Sequence, residues 1–177
     1  TLSIPLLSPA ITSSPTPTSS PTPISSTEVE ITYYVSPNGV DTNSGVQSSP
    51  WKTIQKAANN ARKGSTIIVL EGEFAERVNI SRSITLQAQG RVVMHGFTIT
   101  ADNVTIRGFE ITDTPNDDTA GWGIYVRGSS CVLENNYVHY ATRGGIYLFA
   151  QDSSEAQTTN CIVRNNRLYR NSQLGIQ

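Results

Sequence analysis

From Ile31 onward apolar and polar residues alternate in short runs, the period-two signature of strands with one buried face. ITYYV opens the series and ends in SPNGVDTNSG, where Pro37, the Asn38-Gly39 pair and Gly45 spell a loop. The period then changes. In SSPWKTIQKAANNARKG, Ile54, Ala57, Ala58 and Ala61 recur at i, i+3, i+4, i+7, which predicts one amphipathic helix with Ser49 as its cap, Pro50 at its first position and Gly64 closing it. After Ser65 the alternation returns in TIIVL, RVNI, SITLQA, RVVMHG, NVTIRGFEI, WGIYV, SCVLENNYVH, GGIYL and NCIVRNNRLY. The chain reads as all-β with one short helix near its start.

The later strands repeat one another. NVTIRGFEI from Asn103, SCVLENNYV from Ser130 and NCIVRNNRL from Asn160 align without gaps, and Gly123-Ile124, Gly145-Ile146 and Gly175-Ile176 follow in turn. Unequal periods of 27 and 30 residues predict a solenoid, each repeat one coil and each insert a loop on its edge. Val104 with Ile106, Cys131 with Leu133, and Cys161 with Val163 then alternate inward, while Arg107, Glu134 and Arg164 stack outward as a solvated charge ladder. Asn135-Asn136 and Asn165-Asn166 fall where the strand must bend. Asparagine tolerates the left-handed conformation, and its amide can bond the turn or the same amide one coil on. Cys131 and Cys161 read as small core hydrophobes; a disulfide lies within reach, but in-register Cβ vectors rarely supply its torsion.

Composition narrows the partners. A chain of 177 residues with 37% hydrophobic and 15% charged residues suits one globular domain with a real core. A net charge of -1 with scattered Lys and Arg argues against nucleic acid, and no run is long and apolar enough to suggest a membrane span. Residues 1–30 differ from the rest: they hold six of the nine prolines amid Ser and Thr, so they are expected to form a disordered linker before a domain at 31–177. Leu2 to Leu7 read as the remnant of a secretion signal or lipoprotein anchor.

YYVSPNGVDTNSG, SSPWKTIQKAANNARKGSTIIVLEGEF and the coils NNYVHY and NNRLYR together resemble the N-terminal cap and first turns of the pectate-lyase-like superfamily, closest in flavour to family-nine pectate lyases and their bacterial relatives. The resemblance implies a right-handed parallel β-helix with an N-terminal cap helix. It also implies extracellular polysaccharide as partner and calcium as cofactor, with a lysine base and an aspartate cluster in the middle coils; the linker and signal remnant suit an extracellular or cell-surface protein, expected to be a monomer. Here the lysines are Lys52, Lys56 and Lys63, all in the cap. The chain reaches Gln177 in mid-coil, about where the family's calcium aspartates begin, so the helix is expected to be truncated at its C-terminal end. Two readings stay open: the N-terminal part of a secreted bacterial enzyme acting on uronate-rich glycan by calcium-assisted β-elimination, or a non-catalytic surface β-helix that binds glycan or acts as a spacer. An open coil at Ile176 would expose apolar edge, making the isolated chain marginal or prone to aggregate.

Candidate site residues follow from residue type. Asp113, Asp117 and Asp118 share the insert TDTPNDDTAGWG and offer carboxylates to a hard cation such as calcium, or form a solvated acidic loop. Trp122, Tyr125, Tyr147 and Phe149 surround the Gly-Ile strands, with Tyr125 and Tyr147 stacked outward; such rings hold sugars by apolar contact or simply bind coil to coil. Arg127 and Arg143 lie near them and suit the carboxylates of a polymer. His139 aligns with Thr112 and Tyr169 and is expected to face outward without a partner.

Overall fold

A computed structural model describes residues 31–149 and 158–177; the linker reading of residues 1–30 lies outside them. Strand β1 (Thr32–Val35) pairs in parallel with β2 (Thr66–Ile80), which pairs with β3 (Thr85–Ile99) along most of its length. Sequence alternation broke each of these long strands in two, at TIIVL/RVNI and SITLQA/RVVMHG. The structure joins them, because Gly72 (φ 154°), Gly90 (φ 85°) and Gly96 (φ 121°) turn the backbone without ending the ladder.

β3 is the turn onto which everything later is built. Its three stretches pair separately with β4 (Thr105–Arg107), β5 (Glu110–Ile111) and β6 (Trp122–Val126). The next coil repeats the three as β7 (Val132–Glu134), β8 (Tyr137–His139) and β9 (Gly144–Leu148), and β10 (Ile162–Arg164) with β11 (Arg167–Tyr169) begins another. Every pairing between these strands is parallel. The gapless alignment read from sequence is the physical register: Ile106, Leu133 and Val163 lie in one column, and Arg107, Glu134 and Arg164 in the next.

The core is a set of such columns. Leu86, Ile106 and Leu133 form one, Met94, Ile111 and Val138 a second, and Phe97, Ile124 and Ile146 a third, all with no measurable exposure. Burying each side chain is worth about 1.5–3 kcal/mol, so the stacks dominate the cohesion between coils. At the far end the third column stays open, with Ile176, bridged to Ile146, 50% exposed, and Ile162 and Leu174 nearby are 49% and 48% exposed.

Corners carry repeated left-handed residues. Gly108, Asn135 and Asn165 share φ of 82°, 56° and 56°, as the asparagine reading anticipated, and Asp113, Tyr140 and Arg170 repeat the conformation at 50°, 51° and 49°. Asn136 points inside. Its amide donates to Ile106 O (3.1 Å) and to Asn166 Oδ1 (3.0 Å), while its own Oδ1 accepts from Phe109 N (3.1 Å), forming an amide ladder across three coils. The charge ladder is more enclosed than expected: Glu134 is reached by Arg164 at 2.6 Å and by Arg107 at 3.8 Å, and its side chain is only 11% exposed. Cys131 and Cys161 are both free thiols, with Cys131 N donating to Cys161 Sγ at 3.4 Å.

Helix α1 (Ile54–Asn60) closes the first coil with Ile54, Ala57 and Ala58 buried. It starts later than its sequence suggested. Ser49 and Trp51 are taken up in β-bridges with Val46 and Val35, so capping passes to Thr53, whose hydroxyl accepts from Lys56 N. Two carboxylates complete the helix start: Asp41 accepts from the N–H groups of Lys52 and Thr53, and Glu76 from those of Ile54 and Gln55.

Candidate functional site

Alternation on β6 and β9 turns Ile124 and Ile146 into the core and Tyr125 and Tyr147 outward, in register. The two phenol rings stack at 5.2 Å with 24° between their planes. Trp122 joins them at 4.8 Å from Tyr147, because its partner across the ladder is Gly144, where any β-carbon would overlap the indole. Phe149 extends the row, and the Arg127 guanidinium lies over its ring at 4.6 Å. These rings are less open than expected. Trp122 and Tyr125 are 3% and 9% exposed and form a floor, and burial raises the Tyr125 hydroxyl pKa above the ordinary phenol value.

Above this floor is a cavity of ≈ 270 Å³, lined by Trp122, Tyr125, Tyr147, Arg143, Asp118 and the amides of Gln173 and Gln177. Of the five residues read from sequence as a glycan patch, four therefore share one cavity, and Arg127 sits beside it on Phe149. Arg143 is ion-paired with Asp118, whose side chain is 95% exposed.

The loop bearing Asp118 is held from below by a residue the sequence did not flag. Arg77 donates to Phe97 O and Trp122 O at 2.7 Å, to Ala120 O at 2.9 Å and to Thr98 Oγ1 at 3.1 Å. Burial brings its pKa down to about 10. Its partner across the β2/β3 ladder is Gly96, which leaves room for the guanidinium; that register is invisible before the strands are paired.

The three aspartates are not brought together. Asp117 Oδ1 accepts from Thr119 N and Ala120 N at 2.8 Å, and these backbone bonds hold its carboxyl below the usual range. Asp118 faces Arg143, and Asp113 lines a different cavity.

That second cavity, ≈ 420 Å³, overturns the reading of His139 as an unpartnered surface side chain. The imidazole is 13% exposed, its Nε2 lies 3.2 Å from Glu110 Oε1, and it stacks on Tyr137 at 4.3 Å. Glu110 in turn accepts two bonds from Arg91, at 2.8 and 2.9 Å, and these hold its carboxyl below the ordinary value. A signal was present: the repeat places Glu110 opposite Tyr137 and so diagonal to His139.

The family model described as a right-handed β-helix region matches residues 53–177. The chain belongs to the right-handed β-helix family. It is 28% identical over 130 residues to uncharacterized protein YwoF of Bacillus subtilis, covering 59% of this chain and 28% of that protein. It is 28% identical over 137 residues to pectate lyase PEL9 of Emericella nidulans (75% and 33%), and 30% identical over 108 residues to a cell surface glycoprotein of Methanothermus fervidus (55% and 17%). The chain thus spans a third or less of these relatives. Among solved structures it is similar to pectate lyase Pel9A, at TM-score 0.59 and 22% identity over 82% of this chain and 49% of that one, and to a rhamnogalacturonan lyase, at 0.54 and 17% over 82% and 53%.

The calcium that the resemblance implies does not fit the described residues of this β-helix. Among them no three Asp, Glu, His or Cys side chains come together in a way that could hold a metal ion. Asp117 and Asp118 already serve backbone N–H groups and a guanidinium, and no lysine lines either cavity. No helix among the described residues is long and apolar enough to cross a membrane.

Proposed function

We propose that this β-helix binds an acidic extracellular polysaccharide through the aromatic cavity on β6 and β9. The observation that carries the reading is the convergence of a stacked aromatic floor (Trp122, Tyr125, Tyr147) with the Arg143 guanidinium and two side-chain amides around one concave surface. Aromatic faces take the apolar side of a sugar ring, amides bond its hydroxyls, and a guanidinium fork matches a uronate carboxylate. Asp118 holds that fork from a 95% exposed position, so a ligand carboxylate can replace it at small cost. Arg127 on Phe149 adds positive charge at the edge.

The likeness to a pectate lyase and a rhamnogalacturonan lyase supports polysaccharide as the partner, and the cell surface glycoprotein supports an extracellular setting. In this reading the described residues bind and orient the polymer, and no proton-transfer step is assigned to them. A β-elimination reading predicts a calcium-dependent rise in ultraviolet absorbance from unsaturated uronate ends on one acidic polymer.

Affinity gel electrophoresis tests the binding role. Gels containing polygalacturonate, alginate or a glycosaminoglycan should retard the chain in at least one case, and Tyr147→Ala should remove most of the retardation. Equal mobility in all gels, or retardation untouched by Tyr147→Ala, would overturn the assignment.

A further inference from the structure

The cavity between β3, β5 and β8 lies on a different strand set from the aromatic cavity and uses different chemistry. We propose that it is a second saccharide site, taking a neutral, hydroxyl-rich sugar residue rather than an acidic one.

Three observations carry this. At ≈ 420 Å³ the cavity falls in the range of small-molecule sites. Its mouth presents Tyr140, 50% exposed, and the ring is braced edge-on against His139 at 5.2 Å and Tyr169 at 6.0 Å. A large exposed aromatic held rigid by its neighbours gives a sugar ring a platform at little entropic cost. Its wall is rich in hydrogen-bond acceptors at fixed places. Glu110 is clamped by two bonds from Arg91 and a third contact from His139, and Glu73, Asp113, the Thr112 hydroxyl and His95 add further polar groups beside the apolar Phe74 and Val93.

Charge selects the ligand class. With His95 and His139 neutral, the three carboxylates of Glu73, Glu110 and Asp113 against the single guanidinium of Arg91 repel a uronate or a phosphate. Arg91 neutralises Glu110 and lies in the field of Glu73, so what remains is chiefly lone-pair acceptors suited to hydroxyl donors. The described residues offer no group that could hold a metal ion, and fixed acceptors beside an exposed aromatic ring fit a neutral polyol. The aromatic cavity, with Arg143 in its lining and Arg127 beside it, has the opposite preference, and the two together would let one coil stack grip an acidic chain and a neutral one.

Isothermal titration of the full chain tests the site without relying on the first reading. The probes are neutral tetrasaccharides of xylose, galactose and arabinose, with trigalacturonate as the acidic comparison. Tyr140→Asn and Asp113→Asn are the variants, since both positions have left-handed φ that asparagine adopts readily, so folding should survive. The expected result is binding of at least one neutral probe, weakened about tenfold by each variant, in line with the loss of one aromatic or charge-assisted contact, and unchanged by Tyr147→Ala. Failure of every neutral probe to bind, or binding indifferent to both variants, would overturn the proposal. Loss of trigalacturonate binding in Tyr147→Ala alone reports on the aromatic cavity and leaves the neutral-probe result to decide this one.

Discussion

Replacing Arg77 with methionine keeps much of the apolar stem and removes the guanidinium that ties β2 to two other backbone segments, at Phe97 and at 120–122. Phe97 O and Trp122 O at 2.7 Å and Ala120 O at 2.9 Å lose their donor. An unmet buried acceptor costs about 1–3 kcal/mol, and three of them outweigh the several kcal/mol recovered by no longer burying a cation. We expect a net loss of about 3 kcal/mol, at the lower edge of what breaking a buried charged network costs. For a chain of this size that corresponds to a fall in Tm of roughly 6–12 °C. Arg77→Lys keeps the charge but not the fork, and should fall between the two. Urea unfolding followed by circular dichroism measures the change through the midpoint at constant slope. A loss below about 0.5 kcal/mol for Arg77→Met, the range of an ordinary surface change, would refute the view that this guanidinium anchors the loop under Asp118.

Asn136→Ala removes three amide bonds between coils and should cost about 2–3 kcal/mol by the same unfolding assay. Glu110 has a folded pKa below its ordinary 4.5, first because of the Arg91 bonds, so its stabilisation is present above that value and is lost as pH falls through the lower folded one; Arg91→Gln should flatten that acid limb in a plot of Tm against pH. Burial raises the Cys131 thiol pKa to about 11, so at pH 8 an aromatic disulfide reagent should leave it unlabelled in the native protein and react with both thiols only after unfolding.

Much of this architecture was legible in the letters because a solenoid writes its contacts at a fixed spacing. Aligning Asn103, Ser130 and Asn160 gave the true register of β4, β7 and β10, and with it the inward columns and the amide ladder, while the Gly-Ile pairs gave the stacked Tyr125 and Tyr147. Where the repeat fails, the reading failed too. β2 and β3 belong to no gapless repeat, so neither their continuity nor the Arg77 to Gly96 pairing could be seen. The helix start moved from Ser49 to Thr53 because Trp51 pairs with Val35, a contact across sixteen residues that local capping rules do not weigh. His139 was misjudged for a different reason: its column was aligned correctly, but its partner Glu110 lies on the diagonal, outside the column. The aspartate insert looked like a ligand set only while its loop was drawn as a line; folded, Asp113 and Asp118 face separate cavities.

Hydroxyl-radical footprinting, read by mass spectrometry with and without an acidic polymer that retards the chain, asks most directly whether the β6/β9 face is where glycan sits. Tyr147 and Phe149 are partly open and should lose reactivity when polymer is bound, while Tyr140, 50% exposed on the other strand set, keeps its own. Protection at Tyr140 with none at Tyr147 or Phe149 would contradict the account and move the acidic polymer to the other face.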